Sequence, residues 1–151
     1  MNGARTSVRR KEIHFPLSVE WLGGRRVAAA VEGKPAIEVE PPLVFRGTDP
    51  AAWSPEDLFV AAAASCLAVT FTGIAERACL DYDSLRVHAD GVCGRRPDGR
   101  FGFTSLWLRL ELTTDEDPAE ARRLAERAEA TCLVAASLDV PLETQIAING
   151  D

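Results

Sequence analysis

The chain has 151 residues, 46% of them hydrophobic and 26% charged, and a formal net charge of −6 at neutral pH. That length suits one domain, covering 1–151, able to bury a core without staples. The mixed composition excludes extended disorder, and the acidic balance argues against a nucleic-acid partner, which needs a basic face.

The basic stretch "RTSVRRK" at residues 5–11 is too short to reverse that balance. The "EIHFPLSVEW" that follows has charges inside it and no small-residue cleavage pattern, so a cytoplasmic protein without a secretion signal is expected. "HFPLSVEW" and "RRVAAAV" flank a Gly23-Gly24 turn and read as a hairpin, which "AIEVE" extends as a third alternating strand. The Pro-, Gly- and Asp-rich "PPLVFRGTDPAAW" ends that sheet.

Ser54 then offers an N-cap, Pro55 occupies the first helical position, and Asp57 approximates the acid of a capping box. Glu56 and Asp57 both complement the positive end of the helix dipole. A helix from Pro55 to Cys79 follows, and its stretch from Leu58 to Ala75 is 18 residues without a charge. Six of those are Ala, and Ser65, Thr70, Thr72 and Gly73 dilute the run further, so a central helix buried on all sides by protein is expected instead of a membrane span.

"LRVHADGVCG" and "FTSLWLRLEL" form a second, longer hairpin across the Pro-Asp-Gly turn of "RRPDGR", with Arg95, Arg96 and Arg100 at a solvated tip. "DPAEARRLAERAEATC" is an amphipathic helix capped by Asp117 and started by Pro118, with Ala121, Leu124, Ala125 and Ala128 as its apolar stripe. "LVAASLDV" adds a short helical turn and "LETQIAI" a last strand. The order βββ-α-ββ-α-β, without βαβ alternation, gives an α+β fold with antiparallel sheets around a long central helix.

The four cysteines are Cys66, Cys79, Cys93 and Cys132. None forms a C-x-x-C pair, and His14 and His88 lie far from them in sequence, so no metal is expected and four free thiols are the default in a reducing compartment. A lone Cys in an Ala-rich helix is by default a small buried hydrophobe. Cys79 and Cys93, with no acidic, basic or thiol companion nearby in sequence, keep that reading.

Cys66 has company that changes it. "GTDPAAWSPEDLFVAAAASC" resembles the central-helix signature of the OsmC/Ohr family, the osmotically inducible and organic-hydroperoxide-resistance proteins, in which a Pro-Glu pair opens the helix and the reactive Cys follows the Glu by ten residues. Glu56 and Cys66 keep that spacing, Cys132 occupies the place of the family's second Cys, and the Gly-Gly-Arg of "WLGGRRV" makes Arg25 the match to its catalytic Arg, with Arg26 as competitor. The resemblance runs from Val19 to Ile148.

It implies a thiol-dependent peroxidase that reduces organic hydroperoxides without a cofactor. A thiol attacks peroxide only as thiolate, which a neighbouring guanidinium favours; Glu56 would hold that Arg by a bidentate pair. Cys66 would become a sulfenic acid and condense with Cys132 to a disulfide, which an external dithiol reduces.

The resemblance further implies an intertwined homodimer with shared active sites. Geometry points the same way: ten helical residues separate Glu56 from Cys66 by about 15 Å, so a site using both draws them from different subunits. Phe45, Trp53, Phe59 and Phe71 either line an apolar substrate pocket or serve as core. Where the family has Pro after its second Cys and a Ser two residues beyond, this chain has "CLVAAS", with Leu133, Val134 and a later Ser137. That departure motivates the alternative, a non-enzymatic module of the same fold binding a small apolar or thiol-containing ligand.

Overall fold

Gly23 and Gly24 adopt φ of 120° and 56°, backbone that glycine enters without penalty, and they turn β1 (Ser18–Gly23) back onto β2 (Arg26–Ala30). The computed structural model describes residues 12–151, so the basic stretch at 5–11 lies outside the described residues. The described residues divide into two compact units, 12–53 and 54–151. In the first, β3 (Ile37–Val39) completes an antiparallel sheet of order β1-β2-β3, and a 3-10 turn at Leu43–Phe45 follows.

A loop after β3 is tied to that sheet by one carboxylate. Buried Glu40 accepts from the main-chain N–H of Thr48 (3.0 Å) and Asp49 (3.1 Å), from the Thr48 hydroxyl, and from Arg26 Nε at 2.9 Å. Gly47 is required within this loop, because a Cβ there would lie 1.8 Å from the Pro41 carbonyl oxygen.

The Thr48 N–H first, and then Arg26, hold the Glu40 carboxyl at about 2, against an ordinary value of 4.5. A depressed carboxyl pKa stabilises the fold above the unfolded value and loses that contribution as pH falls toward the folded one. The first unit is therefore expected to weaken between pH 4.5 and about 2. Thermal unfolding followed by Trp fluorescence should show a Glu40→Gln variant, already weakened at neutral pH, losing less on acidification; parallel curves would refute the latch.

The second unit begins with α1 (Pro55–Ala78), and its start matches the sequence reading in detail. Ser54 and Asp57 form a reciprocal capping box, with the Asp57 N–H donating to Ser54 Oγ at 3.0 Å and the Ser54 N–H donating to Asp57 Oδ2 at 2.8 Å. Cys79 caps the other end in the left-handed region at φ 54°.

β4 (Ser84–Arg95) and β5 (Phe101–Thr113) pair along their whole length. α2 (Pro118–Thr131), capped by Asp117, breaks at Cys132 before α3 (Leu133–Ser137), and β6 (Leu142–Ile148) closes the unit. β6 runs parallel to β5, not antiparallel, because α2 carries the chain back across the sheet before the strand is laid down.

The core lies between α1, α2 and one face of this sheet. Leu106, Leu108, Leu110 and Leu112 of β5 point inward in strict alternation. They meet Ala63, Leu67, Phe71, Ile74 and Ala75 of α1 and the expected stripe of α2, Ala121, Leu124, Ala125 and Ala128. Phe71 is fully buried and packs edge-on against Tyr82, with ring centroids 5.7 Å apart.

The rest of α1 is less covered than the sequence suggested. Only 28% of its most apolar 18-residue stretch is buried inside the described chain. Ala62, Ser65 and Val69, spaced by three and four, form an exposed small-residue stripe, with Val69 69% accessible.

Candidate active site

The break between α2 and α3 places Cys132 at a helix end, with φ −64° and ψ 112°, and buries it to 2% accessibility against α1. Cys66, about three turns along α1 from Ser54, is half-buried against the same core, and both thiols are free. Sequence spacing alone could not bring these two together; the α2 crossover does.

The environments of the two sulfurs differ in sign. Desolvation acts to raise the Cys66 pKa, but the Val134 main chain, the Cys132 thiol, the Thr70 hydroxyl and the Leu133 main chain oppose it, and the net shift is downward. Cys132 is pushed up, first by its own burial, against the opposing Ala135 N–H. Of the two sulfurs, Cys66 is therefore the one that loses its proton more readily.

Glu56 lies in the first turn of α1. Asp57 fills the cap, which leaves the Glu56 carboxylate uncommitted, and its Oε2 atom is buried with no hydrogen-bond partner among the described residues. After burial, the Glu56 charge is the second cause that raises the Cys93 pKa. Cys93 thus has an acidic companion that sequence proximity did not reveal, and it stays protonated as a packing residue.

In the first unit, Arg25 sits at the tip of the β1–β2 turn with its guanidinium exposed, donating from Nη1 to the Phe45 carbonyl at 2.8 Å. Arg26 is bound to three carboxylates, Glu40 at 2.9 Å, Glu38 at 2.9 Å and Asp49 at 3.1 Å. A cleft of about 630 Å³ beside the turn is lined by Gly23, Gly24, Arg25, Arg26, Arg46 and Thr48 among others.

Of the four aromatic candidates, Phe71 is core and Phe59 stacks on Phe103 at 4.4 Å. Phe45 and Trp53 belong to the first unit, 39% and 51% accessible. The sequence reading missed the Thr70 hydroxyl, for which the four-residue spacing from Cys66 was the available signal, and the Leu133 and Val134 amides, which carry none.

Comparison with known proteins adds independent weight. The uncharacterized protein YmaD of Bacillus subtilis is 24% identical over 139 residues, covering 88% of this chain and 91% of that protein. An OsmC-like protein of unknown function from Vibrio cholerae superposes with a TM-score of 0.81 at 21% identity, over 89% of this chain and 99% of the other. An organic hydroperoxide resistance protein from Elizabethkingia anophelis gives 0.73 at 20% identity, over 93% and 100%. These solved structures share the α+β architecture of two sheets and a long helix. The family model described as OsmC-like protein matches residues 47–146, from the loop ahead of α1 to β6, and the chain belongs to that family.

Proposed function

We propose that this protein is a thiol-dependent peroxidase that reduces organic hydroperoxides. The observation that carries the reading is the pair of sulfurs packed at the α1–α2–α3 core with opposite pKa shifts, Cys66 lowered and Cys132 raised from the ordinary thiol value. That is the division of labour a two-cysteine peroxidase needs: one thiol that ionises more readily to act as nucleophile and a resolving thiol that waits.

Cys66 sulfur attacks the terminal oxygen of ROOH, the O–O bond breaks, and the alkoxide takes a proton and leaves as ROH. Cys66 is then a sulfenic acid. The Cys132 sulfur displaces hydroxide from it, forming the Cys66–Cys132 disulfide and releasing water, and an external dithiol returns both to thiols. Arg25 serves as the activating guanidinium in preference to Arg26, because Arg26 already satisfies three carboxylates. Glu56, with its orphaned buried oxygen, supplies the bidentate partner that orients Arg25.

A homodimer with shared sites fits the same facts. α1 is apolar and only partly covered by the described residues, and two antiparallel copies packed along Ala62, Ser65 and Val69 would cover the rest. A crossing near Ala61 and Ala62 would also bring Glu56 of one subunit toward Cys66 of the other. The proposed unit of function is one 151-residue domain in each of two cytoplasmic subunits.

Treatment with one equivalent of cumene hydroperoxide, followed by peptide mass spectrometry, tests the reading. The expected result is loss of two thiols and a Cys66–Cys132 link. Unchanged thiols with the link absent would remove the enzyme and leave the non-enzymatic ligand-binding module.

A further inference from the structure

Helical Ser and Thr hydroxyls ordinarily bond back to a carbonyl one turn earlier, and this chain follows the habit. Ser65 donates to the Ala62 carbonyl at 3.4 Å, Thr72 to Val69 at 2.8 Å, Thr131 to Arg127 at 2.8 Å and Ser137 to Leu133 at 2.8 Å. Thr70 departs from it. Its Oγ1 has the Cys66 sulfur as partner, at 4.0 Å, from four residues along α1.

We propose that Thr70 is a positioning residue for Cys66, its hydroxyl donating to the sulfur from one helical turn away and holding it as an anion facing the Leu133 and Val134 N–H groups. An anionic sulfur can only accept, so the Thr70 hydrogen must point toward it. A β-branched side chain is stiff at χ1, which fixes the direction of that donor at small entropic cost.

The other two donors come from the opposite side. Leu133 and Val134 follow Cys132 directly in the chain, and the main chain of both lowers the Cys66 pKa. The sulfur is thus held between a side chain of its own helix and the main chain that follows Cys132, all within the second unit. The consequence is that part of the thiolate preference is built into each chain, independently of any arginine.

The inference rests on the peroxidase reading for its purpose but not for its test. The rate of Cys66 carbamidomethylation by iodoacetamide, resolved by peptide mass spectrometry, is measured against pH for wild type, Thr70→Val, Thr70→Ser and Leu133→Pro. Thr70→Val keeps shape and branching while removing the donor; its midpoint is expected to rise by about half to one pH unit, a roughly three- to tenfold slower reaction at neutral pH.

Thr70→Ser restores the hydroxyl and should return the profile toward wild type. Leu133→Pro deletes one N–H at a first helical position, where proline is tolerated, behind a Cys132 already at ψ 112°; it should move the midpoint the same way. Should Thr70→Val not fold by circular dichroism, Thr70→Ala reads the same donor.

A Thr70→Val profile coinciding with wild type overturns the proposal, as does a Ser variant that shifts as far as Val. A packing role would alter stability without moving the midpoint. Peroxide consumption by the wild-type protein is decided separately, so the failure of either reading is recognisable without the other.

Discussion

Replacing Cys66 with Ser is expected to lower the rate of cumene hydroperoxide consumption about a thousandfold or more, to the level of the uncatalysed reaction with the reductant. A hydroxyl in the same place remains protonated at neutral pH and does not attack peroxide, so the donors around it have no anion to stabilise. Cys132→Ser should behave differently. It retains one stoichiometric turnover and stops at the Cys66 sulfenic acid, which dimedone captures.

Arg25→Gln should fall between, losing on the order of a hundredfold through weaker stabilisation of the developing charge. A coupled assay with a dithiol reductant and peptide mass spectrometry reads all three. Residual turnover in Cys66→Ser comparable to wild type would place the chemistry on another thiol and end the assignment.

The second large effect is on assembly. Val69→Asp is expected to convert the proposed dimer of two 16.3 kDa chains into a monomer. The side chain is the largest apolar one on the exposed stripe of α1, and a carboxylate buried there without a partner costs several kcal/mol, enough to dissolve a modest interface. Sedimentation equilibrium at micromolar concentration measures it. A wild-type mass of one chain would remove the shared site, and a Val69→Asp variant that stays dimeric would move the interface off this helix.

Local rules made much of the fold legible before any coordinates. The Ser54–Asp57 box, the Asp117 cap and the stripe of α2 depend on residues within a few positions of one another, and they appear as read. The direction of β6 did not follow, since alternation in "LETQIAI" is the same for parallel and antiparallel pairing and only the crossover decides.

The candidate site divides in the same way. Glu56 and Cys66 were fixed by spacing on one helix. That Arg26 is occupied depends on β2–β3 register, which sets Ala28 opposite Glu38 and brings the carboxylates of that edge to the guanidinium. No local pattern contains this information. Thr70 was visible as a position but not as a partner, because a helical Thr that follows the usual habit looks identical in sequence.

The parallel strand at the end of the chain also bears on biogenesis. β5 is the middle strand of its sheet, and the edge that β6 covers cannot be paired until residues 142–148 have been made. At the usual pace of translation that edge stays open for on the order of seconds, beside four leucines that have no other cover from that side. Slowing the ribosome over α2 is therefore expected to increase aggregation, because it prolongs the time before β6 can pair that edge.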